Sequence, residues 1–117
     1  MKIRIKGNSL RYRLTRSEVA GLKAAGRLEE HTAFDGKTFT YAIETGNSDR
    51  LTADFIENKI VLNMPRTMID ELYNTDKVGF EDTSGTVSLL VEKDFACIDN
   101  TEEDQSDHYP NPSLSCD

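Results

Sequence analysis

The chain has 117 residues and a formal net charge of −7; 37% of its residues are apolar and 30% are charged. That length supports one domain with a modest core under a well-solvated surface. No run of roughly 18 apolar residues is present to span a bilayer as a helix, and the overall acidity argues against a general nucleic-acid binder.

The charge is unevenly placed. Residues 1–28 hold eight Lys or Arg and one acid, Glu18, whereas residues 29–117 hold six bases and twenty acids. The opening Met1-Lys2-Ile3-Arg4-Ile5-Lys6 alternates charge and lacks the apolar stretch of a secretion signal. The expected compartment is the cytoplasm, where Cys97 and Cys116 stay reduced.

Ile3 and Ile5 alternate with Lys2, Arg4 and Lys6, the period of a half-buried strand. Gly7-Asn8 has turn chemistry, and Leu10, Tyr12 and Leu14 then alternate with Arg11 and Arg13 in a second strand. Thr15-Arg16-Ser17-Glu18 reads as a capping box, Val19 and Leu22 give a narrow apolar stripe, and Gly26 is a helix stop. Leu28–Phe34 and Thr38–Glu44 are strands around the hairpin signal Asp35-Gly36. After a polar loop at Gly46–Asp49 the order returns. Leu51–Ile56, a Glu57-Asn58 turn and Lys59–Asn63 form a hairpin, and Pro65 opens a helix striped by Met68, Ile69 and Leu72. Val78–Glu81 and Thr86–Glu92 follow as strands around Ser84-Gly85.

Each half therefore reads strand, strand, helix, strand, strand. At an offset of fifty, Ile5/Phe55, Leu10/Ile60, Tyr12/Leu62, Leu14/Met64, Val19/Ile69, Leu22/Leu72 and Leu28/Val78 coincide, as do Asn8/Asn58 and Arg16/Arg66. Self-similarity of this kind points to duplication. The expected fold is α+β and mainly antiparallel: two ββαββ units, about residues 2–45 and 51–92, closing a small barrel with two short helices. An acidic tail follows at residues 93–117.

The stretch Gly7-Asn8-Ser9-Leu10-Arg11-Tyr12-Arg13-Leu14 resembles the hairpin of AbrB/MazE-type swapped-hairpin transcription factors. Ile60–Pro65 with Leu72, Asp76 and Val78 resembles a second such unit. In that family two chains interlock into one barrel, so two units in one chain imply a self-contained, double-psi-type barrel. The resemblance also implies a DNA-binding or antitoxin-type regulator, with Lys6, Arg11, Arg13 and Arg16 on phosphates and Asn8 near a base edge. Thr15 stands where the family usually has proline, and the second unit carries Val61 and Asn63 in place of Arg11 and Arg13. The whole chain also resembles a small uncharacterised bacterial family. Its hallmarks are the opening Lys-Ile-Arg-Ile-Lys-Gly-Asn-Ser and the stretch from Val91-Glu92-Lys93-Asp94-Phe95-Ala96-Cys97 to Tyr109-Pro110-Asn111-Pro112.

Residues 93–117 hold one base, seven acids, both cysteines and one of the two histidines. Three readings stand side by side. One is a solvated acidic tail with too little apolar surface to offset its ordering entropy. Another is a transition-metal site, zinc by ligand type, built from Cys97, Asp107, His108 and Cys116, although the spacings match no structural zinc pattern. The last is a Cys97–Cys116 disulfide, which the compartment disfavours. A Cys97–His108 nucleophile pair lacks anything to lower the thiol pKa, and His31 reads as a surface or edge histidine. No catalytic motif stands out. The resulting expectation is a non-enzymatic cytoplasmic binding or accessory protein. Its basic hairpin face awaits either an acidic partner or the chain's own tail, and no membrane contact is expected.

Overall fold

The computed structural model describes residues 1–95 together with Asp107 and Tyr109; Cys97, His108 and Cys116 lie outside the described residues. The elements run β1 (Lys2–Lys6), β2 (Ser9–Leu14), α1 (Arg16–Ala25), β3 (Arg27–Phe34), β4 (Lys37–Gly46), β5 (Thr52–Ile56), β6 (Lys59–Pro65), α2 (Arg66–Asn74), β7 (Gly79–Ser84) and β8 (Val87–Lys93). The fold is α+β with two ββαββ units, as the periodicity predicts.

The hairpins are shared between two sheets. Sheet A has the order β1-β2-β8-β7 and sheet B the order β3-β4-β6-β5. Each unit gives its first hairpin to one sheet and its second hairpin to the other. The hairpins are antiparallel, but each sheet is joined at its centre by a parallel pair, β2 with β8 and β4 with β6. The result is two four-stranded sheets that are not closed into one barrel, which corrects the expected closure. Closure needs continuous ladders around the circumference, and no ladder runs from the edge strands of one sheet to those of the other. The edge strands β5 and β7 meet through side chains: the Ala53 amide donates to Ser84 Oγ at 3.3 Å, and the Arg50 guanidinium reaches Asp82 at 2.8 Å.

Two backbone bonds show the duplication in atoms. The Ser88 amide donates to the Asn8 carbonyl at 2.8 Å, and the Thr40 amide donates to the Asn58 carbonyl at 3.0 Å. The repeated asparagines thus sit where each first hairpin turn starts the other unit's last strand. One expected equivalence shifts. Leu28 pairs with Ile43, whereas Phe80 pairs with Val91, so the counterpart of Leu28 is Phe80 and not Val78. The offset is fifty through the first hairpin and helix and drifts by two residues in opposite senses in the last two strands.

Every hairpin closes on a two-residue loop, at residues 7–8, 35–36, 57–58 and 85–86. The last lies one residue later than Ser84-Gly85. Within each sheet the parallel centre places both turns at the same end, and the helices follow β2 and β6 at the other. The α1 cap forms as expected: the Glu18 carboxylate accepts from the Thr15 amide at 2.9 Å, and Gly26 ends the helix at φ 77°. Glu18 also takes the Met1 ammonium, which pairs with Glu30 at 2.7 Å as well. Burial works against the Glu18 carboxylate, but these donors outweigh it and lower its pKa.

Both units supply the core at equivalent positions, Tyr12 and Leu62, Leu14 and Met64, Val19 and Ile69, Leu22 and Leu72, Ile43 and Val91, and the second unit adds Leu51, Ile60 and Leu89. The helices touch through Lys23, whose Nζ donates to Asp70 at 2.8 Å and lies 5.3 Å from the Tyr73 ring centre. Among the described residues no helix is long and apolar enough to cross a membrane.

The β5–β6 turn carries a local conflict. Both of its residues adopt positive φ, Glu57 at 51° and Asn58 at 64°, the geometry of a type I′ turn. Asparagine tolerates that region, whereas glutamate pays about 1–2 kcal/mol for it. Glu57→Gly should therefore raise stability by about 0.5–1 kcal/mol after the added unfolded-state entropy of glycine. Urea unfolding measures this directly, and a lower midpoint for Glu57→Gly would rule out the positive-φ turn.

Candidate functional site

Strand alternation puts Lys2, Arg4 and Lys6 of β1 and Ser9, Arg11 and Arg13 of β2 on the outer face of sheet A. Pairing continues that face through Ser88, Leu90 and Glu92 of β8 to Gly79, Glu81 and Thr83 of β7. A groove of about 610 Å³ lies across it. Arg4, Lys6 and Arg11 line one side, Ser9, Ser88 and Leu90 the middle, and Glu81, Asp82 and Thr83 the other side, where Asp82 is held by Arg50.

The expected nucleic-acid residues do not form one surface. Lys6 and Arg11 line the groove. Asn8 lies instead in a separate cleft of about 280 Å³ between the sheets, with Leu10, Phe39, Phe55, Ile60 and Val87. Arg13 and Arg11 both turn to Glu92 Oε1, at 2.9 and 3.6 Å. Arg16 stands at the opposite end of β2, with its guanidinium 5.7 Å from the Tyr109 ring centre.

Glu92 faces the arginines for a reason visible in sheet B. Its counterpart there, Glu44, has Arg27 as cross-strand neighbour and pairs with it at 3.7 Å. The position equivalent to Arg27 in sheet A is Gly79, opposite Glu92. A Cβ on Gly79 would lie 2.4 Å from the Val91 carbonyl oxygen and 2.9 Å from Glu92 Cα, so close backbone approach requires glycine. With no side chain beside it on β7, Glu92 pairs with β2.

The bases of residues 1–28 are thereby largely engaged. Lys2 pairs with Asp94 at 3.3 Å, Arg11 and Arg13 with Glu92, Lys23 with Asp70, and Arg27 with Glu29 and Glu44. Arg16 stacks on Tyr109. Among the described residues Arg4 and Lys6, both exposed and both on the groove, have no ion-pair partner.

Of the four candidate metal ligands, only Asp107 is described, and its carboxylate is engaged. The Ser17 amide and hydroxyl donate to its two oxygens at 3.2 and 2.5 Å, and the Arg16 amide donates to its carbonyl at 3.2 Å. Tyr109 makes a parallel bridge with Phe95, donates its amide to the Asp94 carbonyl at 3.0 Å and packs edge-on to the Phe95 ring. Lys93 Nζ lies 4.8 Å from the Tyr109 ring centre and donates to the Thr75 carbonyl at 2.8 Å. Burial lowers the Lys93 pKa, and burial raises that of Tyr109 despite Arg16 nearby. Among the described residues no three His, Cys, Asp or Glu side chains converge as a metal cluster.

Sequence reasoning missed a polar cluster on the outer face of sheet B. Thr40 Oγ1 and His31 Nδ1 are 2.8 Å apart, and His31 Nε2 is 3.2 Å from Glu29 Oε1. The order hydroxyl, imidazole, carboxylate is that of a nucleophile relay. Its surroundings are not: His31 is 55% exposed, and Glu29 also binds Arg27 and Lys59, the latter at 2.8 Å. Neither cavity touches the relay. The period-2 pattern already placed Glu29, His31 and Thr40 on one face, but only the β3–β4 register brings them together.

Lys59 first, and Arg27 with it, hold the Glu29 carboxyl down at about 2. A carboxylate depressed in the folded state adds stability above its ordinary pKa and loses it as pH falls through the folded value. The loss at Glu29 should therefore run from pH 4.5 down to about 2. In Lys59→Gln the Glu29 midpoint should move up in a carbon-detected NMR titration. An unchanged midpoint would remove Lys59 from the cluster.

No curated protein and no solved structure matches the chain significantly. A family defined across residues 1–113 does match, running from β1 through both units and past the Tyr109 anchor. The chain belongs to that family, the family of unknown function DUF7009.

Proposed function

We propose that the chain is a non-catalytic accessory protein of the cytoplasm that binds an anionic partner on the outer face of sheet A. In this reading residues 1–92 form the duplicated binding domain, and residues 93–117 are an acidic tail strapped back at Asp107 and Tyr109. The observation that carries the reading is the groove itself: Arg4 and Lys6, without ion-pair partners among the described residues, facing about 610 Å³ of open space.

The duplication supplies an internal control. On sheet B the counterparts of Arg4 and Lys6 are Asp54 and Ile56, and those of Arg11 and Arg13 are Val61 and Asn63. There Arg27, Lys59 and His31 gather on Glu29. One backbone unit thus appears twice, once with its outer bases gathered on a carboxylate and once with cations turned to a groove.

The exchange of hairpins between sheets supports a likeness to the swapped-hairpin regulators, and with it the DNA-reading alternative through Lys6, Asn8, Arg11, Arg13 and Arg16. The engagement of Arg11 and Arg13 by Glu92 and the separate positions of Asn8 and Arg16 speak for a smaller anion instead. Contact by Arg4 and Lys6 gives a slope of log K against log salt of about −2, whereas a reader with six to ten phosphate contacts gives a far steeper one. Binding to a heparin column and to duplex DNA should be weak, follow the shallow slope, and vanish in the Arg4→Gln, Lys6→Gln double variant. It should survive in Lys59→Gln. A slope of about −5 or steeper would favour DNA reading.

A second reading places a transition metal, zinc by ligand type, on the tail through Cys97, Asp107, His108 and Cys116. Its support is the Phe95–Tyr109 bridge, since Cys97 and His108 are two residues and one residue away from the bridged pair in the chain. Untagged protein purified without chelator should then carry about one zinc per chain, lost in the Cys97→Ser, His108→Ala double variant. Less than about 0.1 metal per chain after zinc addition would end this reading.

A further inference from the structure

We infer that the sheet A groove takes a short phosphorylated polyol, a sugar phosphate, with phosphate against Arg4 and Lys6 and hydroxyls against Glu81 and Thr83. The inference rests on the anion site proposed above and names its ligand class.

The groove is polarised from side to side. Its cations lie on β1 and β2; across the middle of the sheet, β7 carries the acidic Glu81 and the hydroxyl of Thr83. Those outer strands are three strand spacings apart, about 14 Å. Arg4, Lys6 and Glu81 all line the groove that occupies that span. A compact molecule with an anionic head and a donor-rich body fits this polarity. Two adjacent cations match a phosphate dianion in charge, and a guanidinium offers it paired donors. Glu81 accepts from hydroxyls, while Ser9, Ser88 and Thr83 can donate or accept along the body.

Other anionic ligands fit less well. The described outer face of sheet A carries no aromatic side chain, so single-stranded nucleic acid has nothing to stack on. An acidic peptide lying along the strands would set its second row of carboxylates against Glu81. A polyol turns that same carboxylate into a partner.

Calorimetry on the full chain with inorganic phosphate, ribose and ribose 5-phosphate tests the assignment. Ribose 5-phosphate should bind at least tenfold tighter than inorganic phosphate, and ribose alone should bind weakly. Arg4→Gln with Lys6→Gln should reduce both phosphate affinities at least tenfold. Glu81→Gln should erase the advantage of ribose 5-phosphate while leaving inorganic phosphate as tight or tighter. If ribose 5-phosphate binds no better than inorganic phosphate, or an oligo-aspartate peptide outcompetes it, the polyol class is wrong although the anion site stands. If phosphate binding is indifferent to Arg4 and Lys6, both readings fall. Each variant changes an exposed side chain on an outer face, and an unaltered circular dichroism spectrum with an unaltered unfolding midpoint confirms that its fold is intact.

Discussion

The parallel pairing of β2 with β8 and of β4 with β6 is the constraint on which the rest depends. Neither unit can complete a sheet alone, because its two hairpins lie in different sheets. Each sheet exists only when residues about eighty positions apart, or nineteen in the shorter case, have met: Ser9 with Ser88 and Thr40 with Lys59. The carbonyls of Asn8 and Asn58 set the start of those pairings, one bond per sheet. A shift of one residue would turn Tyr12, Leu14, Leu62 and Met64 out of the core, so the register is fixed by burial as well as by the turns. The fold is thereby a single cooperative object even though its sequence is two copies of one pattern.

That constraint acts on inner faces and leaves outer ones unrestrained. Core positions keep the apolar match between units, with only shape changes such as Tyr12 against Leu62. Outer positions have diverged to opposite solutions. On sheet B, Glu29 gathers Arg27, Lys59 and His31 into a self-satisfied cluster. On sheet A, Gly79 removes the cation that would hold Glu92, which then takes Arg13 and Arg11. A packing requirement on an edge strand thus decides which groove cations remain available.

Local features of the chain were readable from sequence because their chemistry is local. The capping box at Thr15–Glu18 and the Gly26 stop need only neighbouring residues, as does each two-residue turn; the one slip, Ser84-Gly85 for residues 85–86, is a single position. Repetition at an offset of fifty was also visible, and it breaks down where the structure drifts, at Leu28 and Phe80. What could not be read was pairing between distant strands. Alternation put Arg11 and Arg13 on a basic face, but nothing near them in the chain announces Glu92, which is brought alongside by the parallel register. The same holds for His31, whose partner Thr40 is fixed by the hairpin register. Of the expected DNA-contact set, the structure keeps Lys6, Arg11 and Arg13 on one sheet face, turns Arg13 to Glu92, and places Asn8 and Arg16 elsewhere.

The concentration of base in residues 1–28 now has a structural meaning. Those residues build β1, β2 and α1, one face of which looks onto strands and a tail supplied by the acidic remainder of the chain. Asp94, Glu92, Asp70, Glu29 and Glu44 each come from that remainder to meet a base near the start. Asp107 and Tyr109 do the same at the first turn of α1, against Ser17 and Arg16. The second helix begins at Pro65 with no side-chain cap and no acid in its first turn, so among the described residues the tail meets the first helix only. The charge asymmetry therefore works mainly as internal complementarity between the start of the chain and the rest. Arg4 and Lys6 stand out against that pattern: they lie on the outermost strand of sheet A, and among the described residues no acid pairs with either.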